Sequence, residues 1–165
     1  MTLTQANRLA AEMGVRRLHA LCGDAVWRKD RTAFVDCFTA DGEWKVAGLH
    51  MRGHQAIGDG FDNLLSLNER VLMNFASPIL EIVQGTASGR TYTTETVKTL
   101  DGGCMSSIGI YYERFIELDG EWRFAWRHFD FCYFGPPDLS APLLALVDRG
   151  PPPAMPASDA PTAGM

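Results

Sequence analysis

The sequence lacks any stretch near the ~18–20 uninterrupted apolar residues that a membrane-spanning helix requires, so no membrane partner is expected. It also lacks a charged N-terminal segment running into an apolar one. No secretory signal is therefore visible, and a cytoplasmic setting is expected. No basic stripe is present: 15 Lys and Arg are scattered among 20 Asp and Glu, for a net charge of -5, which argues against nucleic acid as a partner. Cysteine pairing is missing too. Cys22, Cys37, Cys104 and Cys132 lie far apart with no Cys-x-x-Cys or His-paired spacing, so zinc ligation is not expected and reduced, mostly buried thiols are. A Gly-rich phosphate loop, a dinucleotide fingerprint and a serine nucleophile elbow are all absent, and no cofactor is expected. His50 and His54 have metal-ligand spacing, but Gly53 and the loop character of 47–53 break the helix that would aim them together. No metal is expected.

What is present is one domain's worth of chain with an ordinary apolar content. Residues 4–28 read as a helix, with Val15, Leu18, Cys22 and Val26 on one face, thickened by Leu21 and Ala25. Asp30 is a candidate N-cap for a second helix that Asp41-Gly42 stops, and Glu43 to Ala47 reads as a short strand. A third helical stretch after Arg52-Gly53 buries Ile57, Phe61, Leu64 and Leu65; Gly58 and Gly60 predict that it is short or irregular. Beyond Asn68 the period changes to that of strands, at about 70–83, 87–99, 104–118 and 121–134. Gln84-Gly85, Asp101-Gly102-Gly103 and Asp119-Gly120 separate them as tight turns. Helices followed by a meander give an α+β class. From Gly135 a Pro- and Ala-rich tail (136–165) follows, with disorder expected over about 149–165 and a short apolar patch, Leu143 to Val147, free to dock on the body or on a partner subunit.

The run Gly109-Ile110-Tyr111-Tyr112-Glu113-Arg114-Phe115, with Asp119-Gly120-Glu121-Trp122-Arg123-Phe124 and Arg127, resembles the final hairpin of SnoaL-like proteins in the nuclear-transport-factor-2-like (NTF2-like) superfamily. Arg52-Gly53-x-x-Ala56-Ile57 is similar to the third helix of that family, and Asp30 to Asp41 to its second helix and turn. The resemblance covers about 8–135. It implies a cone-shaped barrel in which N-terminal helices pack on a curved antiparallel sheet around a pocket. It also implies homodimers, and activities ranging from dehydratases and isomerases to binding modules without chemistry. Scytalone dehydratase, a cofactor-free lyase of this superfamily, does not match at its reacting residues. Its acid falls at about Trp27 here, one histidine near Asn74, the other on the 87–99 strand, which has none, and its pocket serine and asparagine near Gly109 and Tyr111. A cofactorless diarylpropane lyase suggests a substrate class only.

Strand parity then picks candidates. If Gly109 faces the cavity, Tyr111, Glu113 and Phe115 do as well, and Trp122, Phe124, Trp126 and His128 form the inward set of the last strand. His128 would be a general base, or else a core histidine bonded to backbone or Asp130. Glu113 would be an acid or base among aromatic residues, or else paired with Arg114 or Arg127. Glu95 would be a second pocket carboxylate if it points inward. Asn74 would orient the substrate, while Tyr111 or Tyr92 would donate to a developing oxyanion. Trp27, Trp126 and the several Phe, Phe115 among them, would make a flat apolar wall, or simply core. These readings point to a cofactor-independent lyase (dehydration, retro-aldol or deformylation) or isomerase acting on a hydroxylated aromatic or polyketide-like small molecule. A non-catalytic ligand-binding or assembly module that uses the same pocket is the alternative.

Overall fold

The computed structural model describes residues 3–164. Helix α1, Gln5–Arg28, starts on Thr4, whose side chain accepts from the Asn7 amide at 3.2 Å, and ends on Lys29 in the left-handed conformation. Its buried face is Ala11, Val15, Leu18, His19, Cys22, Ala25 and Val26; Leu21 points to solvent. Helix α2 is a single short piece, Arg31–Val35, capped by Asp30. Strand β1 begins earlier than its sequence predicts, at Phe38, and runs to Val46 before a hairpin into β2, Leu49–Arg52. Helix α3, Gly53–Leu65, is a full 13 residues despite its glycines. They are there for close approach: a Cβ on Gly58 would stand 2.6 Å from the Arg31 guanidinium, and one on Gly60 1.9 Å from Met51 Sδ.

The strand expected over 70–83 is two strands. β3, Asn68–Phe75, and β4, Ile79–Val83, both pair with β5, Thr86–Thr99, along one edge. Pro78, which has no amide hydrogen for a ladder, lies in the break. β6, Cys104–Leu118, and β7, Glu121–Gly135, complete the meander. The sheet runs β2-β1-β7-β6-β5-β3, with β1 parallel to β7. It is therefore mixed rather than wholly antiparallel, and it is curved without closing into a barrel. The helices pack on its concave face, and the main core lies between the two.

Two irregularities decide which way side chains point. On the β6–β7 ladder Phe115 pairs with Phe124 but Arg114 with Trp126, so Ala125 is an extra residue, a β-bulge. Parity inverts there. Phe124 lies in the main core, then Arg127 and Phe129 continue inward, while Trp126, His128 and Asp130 turn to the convex outer face. A second bulge, at Cys132, restores Phe134 to the inner side. Among its described residues the tail carries no helix or strand. The segment expected to be disordered lies along the outer face: Met155 packs on Ile110, Tyr112 and Trp126, and Thr162 Oγ1 donates to the Phe129 carbonyl at 3.0 Å. The buried Lys45 ammonium donates to the carbonyls of Ser158, at 3.2 Å, and Ala160.

Candidate functional site

The concave side holds a cavity of about 480 Å³. Its walls are aromatic: Phe34, Trp44 and Phe61 from the helical side and β1, Phe129, Phe131 and Phe134 from β7. An aromatic lining of this kind strengthens a charge interaction made against it. Its titratable groups are Tyr111 of β6 and Glu95 of β5, and Asn63, Ser66, Asn68 and Thr99 add neutral polar groups to the lining. Tyr111 accepts a hydrogen bond from Trp44 Nε1 at 3.3 Å, and burial pushes its phenol up, so it keeps its proton. Glu95 is half-buried. Among the described residues no side chain pairs with its carboxyl, and burial raises it to about 7, partly opposed by the positive charge of Arg127. At neutral pH it is poised between acid and base.

Glu113 points inward, as parity predicts, but is fully committed. Arg127 Nε donates to Oε1 at 2.9 Å, Thr91 Oγ1 to Oε2 at 2.8 Å, and His19 Nε2 lies 2.9 and 3.1 Å from the two oxygens. Burial alone would raise this carboxyl; His19 and Arg127 outweigh burial and hold it below its usual value. The guanidinium of Arg127 also covers the faces of Tyr111 and Phe124, at 3.7 and 4.0 Å. A carboxylate with this many donors is a poor base. Phe115 packs beside the cluster, edge-on to His19, rather than in the cavity wall.

The remaining candidates lie elsewhere. The bulge puts His128 on the outer face, where Nε2 bonds Asp130 at 2.9 Å and the ring stacks on Trp126; Asp130 is itself held by Arg149 of the tail. Trp126 lies under the Arg114 guanidinium, 4.5 Å from the ring centre. Neither residue reaches the cavity. Tyr92 has the opposite parity from Thr91 and Thr93 and is exposed. Asn74 and Trp27 are also exposed and line a separate groove of about 620 Å³ between α1 and the end of β3. Sequence reasoning missed His19 and Trp44. The one available signal for His19 was a polar residue at the i+4 position from Val15 on the buried stripe of α1. Among the described residues no cluster of three metal-ligating side chains occurs.

A model of the SnoaL-like domain matches residues 7–128. The chain belongs to the SnoaL-like domain family. Solved structures that superpose on the chain include a candidate scytalone dehydratase from Novosphingobium aromaticivorans, 13% identical with a TM-score of 0.78, covering 90% of this chain and 100% of that one. The type 2 hexachlorocyclohexane dehydrochlorinase LinA superposes with a TM-score of 0.74 at 19% identity, covering 90% and 99% of the two chains. A Mycobacterium tuberculosis protein of unknown function is 25% identical, with a TM-score of 0.65 over 72% of this SnoaL-like chain and 74% of its own. No curated protein matches the sequence.

Proposed function

We propose that the protein is a cofactor-free lyase or isomerase that moves a proton within the aromatic cavity, with Glu95 as the acid/base group. The observation that carries this reading is the unpaired Glu95 carboxyl, raised to about 7 by burial in an apolar chamber. His128 and Glu113, the bases favoured on sequence grounds, are set aside because each is tied in a pair. Glu95 takes a proton from carbon or oxygen of the substrate and returns it to the leaving group or to a neighbouring carbon. Tyr111, protonated and oriented by Trp44, donates to the substrate oxygen. The lining suits a flat, hydroxylated aromatic or polyketide-like molecule; the dehydratase and dehydrochlorinase among the structural neighbours, both named for eliminations, support the lyase class and not that substrate. A cytoplasmic setting, a part in aromatic-compound catabolism and homodimeric assembly accompany this reading, though the site requires none of them.

The test is a thermal-shift screen against phenolic, polyketide-like and steroid-like compounds, with mass spectrometry on each stabilising compound. A converted compound whose turnover falls about 10²–10⁴-fold in Glu95→Gln supports the proposal. The locked state of Glu113 and His128 favours a second reading, a binding module without chemistry. A compound that binds wild type and Glu95→Gln alike and returns unchanged would decide for it.

A further inference from the structure

Glu95 is not the only group on the concave side without a partner. Directly opposite it on the β5–β6 ladder is Ser107, and that ladder runs without a shift of register from Thr86 and Ile116 to Lys98 and Cys104. Side chains opposite each other on one face have Cβ atoms about 4.5–5.5 Å apart, so the serine hydroxyl stands beside the glutamate stem. Parity turns both inward. Ser107 shares its face of β6 with Met105 and Tyr111, and Glu95 shares its face of β5 with Val97 and Thr99, all of which line the cavity. Ser107 is only 1% exposed, and its Oγ has no hydrogen-bond partner among the described residues. Buried hydroxyls are nearly always matched, so an unmatched one beside an unmatched carboxyl calls for an explanation. An ionised carboxyl there needs donors, and Arg127, whose charge acts on it, donates its Nε hydrogen to Glu113.

We propose that Ser107 is the positioning residue for Glu95: its hydroxyl turns to donate to the carboxylate once the proton has left, holding one oxygen on the β6 side and leaving the other to the cavity. A change of side-chain rotamer is enough, with no movement of the backbone. When the proton returns the bond weakens, because a neutral carboxyl is a poorer acceptor than a charged one. The hydroxyl thus favours the charged form and offsets part of what burial does to it. Ser107 is not itself in the cavity wall, so it reaches a substrate only through Glu95. Its part in turnover rests on Glu95 being the acid/base group; the hydrogen bond does not.

The test is a titration of the Glu95 carboxyl itself, by carbon NMR of the full chain carrying glutamate labelled at its carboxyl carbon, with Glu95→Gln to assign the signal. Ser107→Ala should lower the ionisation constant of Glu95 about tenfold, the size of one hydrogen bond to a charged group. Ser107→Thr keeps a hydroxyl and should stay close to wild type, which a merely structural disturbance would not do. Ser107→Cys, similar in size and a far weaker donor, should move the midpoint the same way and serves should Ser107→Ala fail to fold. Thr93→Val removes the other unmatched hydroxyl on that face of β5 at equal volume, and should leave the midpoint in place. An unmoved midpoint in Ser107→Ala, an equal shift in Ser107→Thr, or a shift in Thr93→Val alone would overturn the inference. On any compound that the protein converts, the limb of the pH–rate profile set by Glu95 should move with the midpoint. A shifted midpoint in a protein that converts nothing would uphold the hydrogen bond and remove the lyase reading. An unmoved midpoint beside turnover that is lost in Glu95→Gln would do the reverse.

Discussion

Glu95 and Glu113 stand on the inward face of adjacent strands and are treated in opposite ways. Glu113 has an arginine, a histidine and a hydroxyl; Glu95 has no side-chain partner among the described residues and only the positive charge of Arg127 acting on it. The contrast has a stability signature. With its folded-state pKa raised from 4.5 to about 7, Glu95 binds more protons in the folded chain than in the unfolded one between those values. Stability therefore falls as pH rises from 4.5 to 7 and is flat in this group's contribution above that. Glu95→Gln should remove that part of the slope in a series of Tm measurements, and an unaltered slope would mean that the carboxyl is solvated. The other carboxylate yields a different forecast. Removing one partner of a buried ion pair strands a charge, so Glu113→Ala or Arg127→Met alone should cost about 3–5 kcal/mol in denaturant titration. The double variant should be less damaged than the sum of the two. Strict additivity would show that the two charges do not depend on each other.

At the scale of elements, what the sequence makes legible is what depends on local pattern. The long amphipathic α1, the Gly-containing turns and three of the four long strands fall where periodicity puts them, as Gly85, Gly102 and Gly120 at positive φ attest. The inward set of β6, Tyr111, Glu113 and Phe115, was readable for the same reason. Illegible were the features set by neighbours. Nothing local in Phe124-Ala125-Trp126 announces a bulge, yet that one extra residue carries His128 and Trp126 away from the cavity and brings Arg127 in to meet Glu113. His19 was hidden because a helix pattern shows which face is buried, not that a carboxylate from β6 waits opposite. The bulge can be tested directly. Deleting Ala125 would restore regular pairing and drive Trp126 and His128 toward the core while expelling Arg127. The expected result is loss of near-ultraviolet circular dichroism and of a cooperative melt. A deletion variant that melts cooperatively near the wild-type temperature would mean that the strand re-forms the bulge at a neighbouring residue.

At the scale of the whole molecule, the sheet has two apolar faces and only one set of helices. The helices cover the concave face; the tail covers the part of the convex face that carries Ile110, Tyr112 and Trp126. Lys45 shows how firmly, since its ammonium is buried and donates to tail carbonyls, groups that no truncated chain can replace. The tail in turn exposes Leu143, Leu144, Leu146 and Val147, a run of apolar side chains without cover within the protomer. Were copies of the chain to pair, two surfaces would be on offer, the convex face and this run, and the tail would oppose the first and supply the second. Ending the chain after Gly135 separates them. Uncovering Trp126 and its neighbours should lower Tm by about 2–4 °C for each kcal/mol of packing lost. If the convex face is the sticky surface, the shortened chain should show a larger mass by light scattering than the full one, because exposed apolar patches drive association. If Leu143 to Val147 forms the contact, the full chain is the dimer and the shortened chain the monomer. An unchanged mass together with an unchanged Tm would mean that the tail, for all its contacts, neither stabilises the fold nor governs assembly.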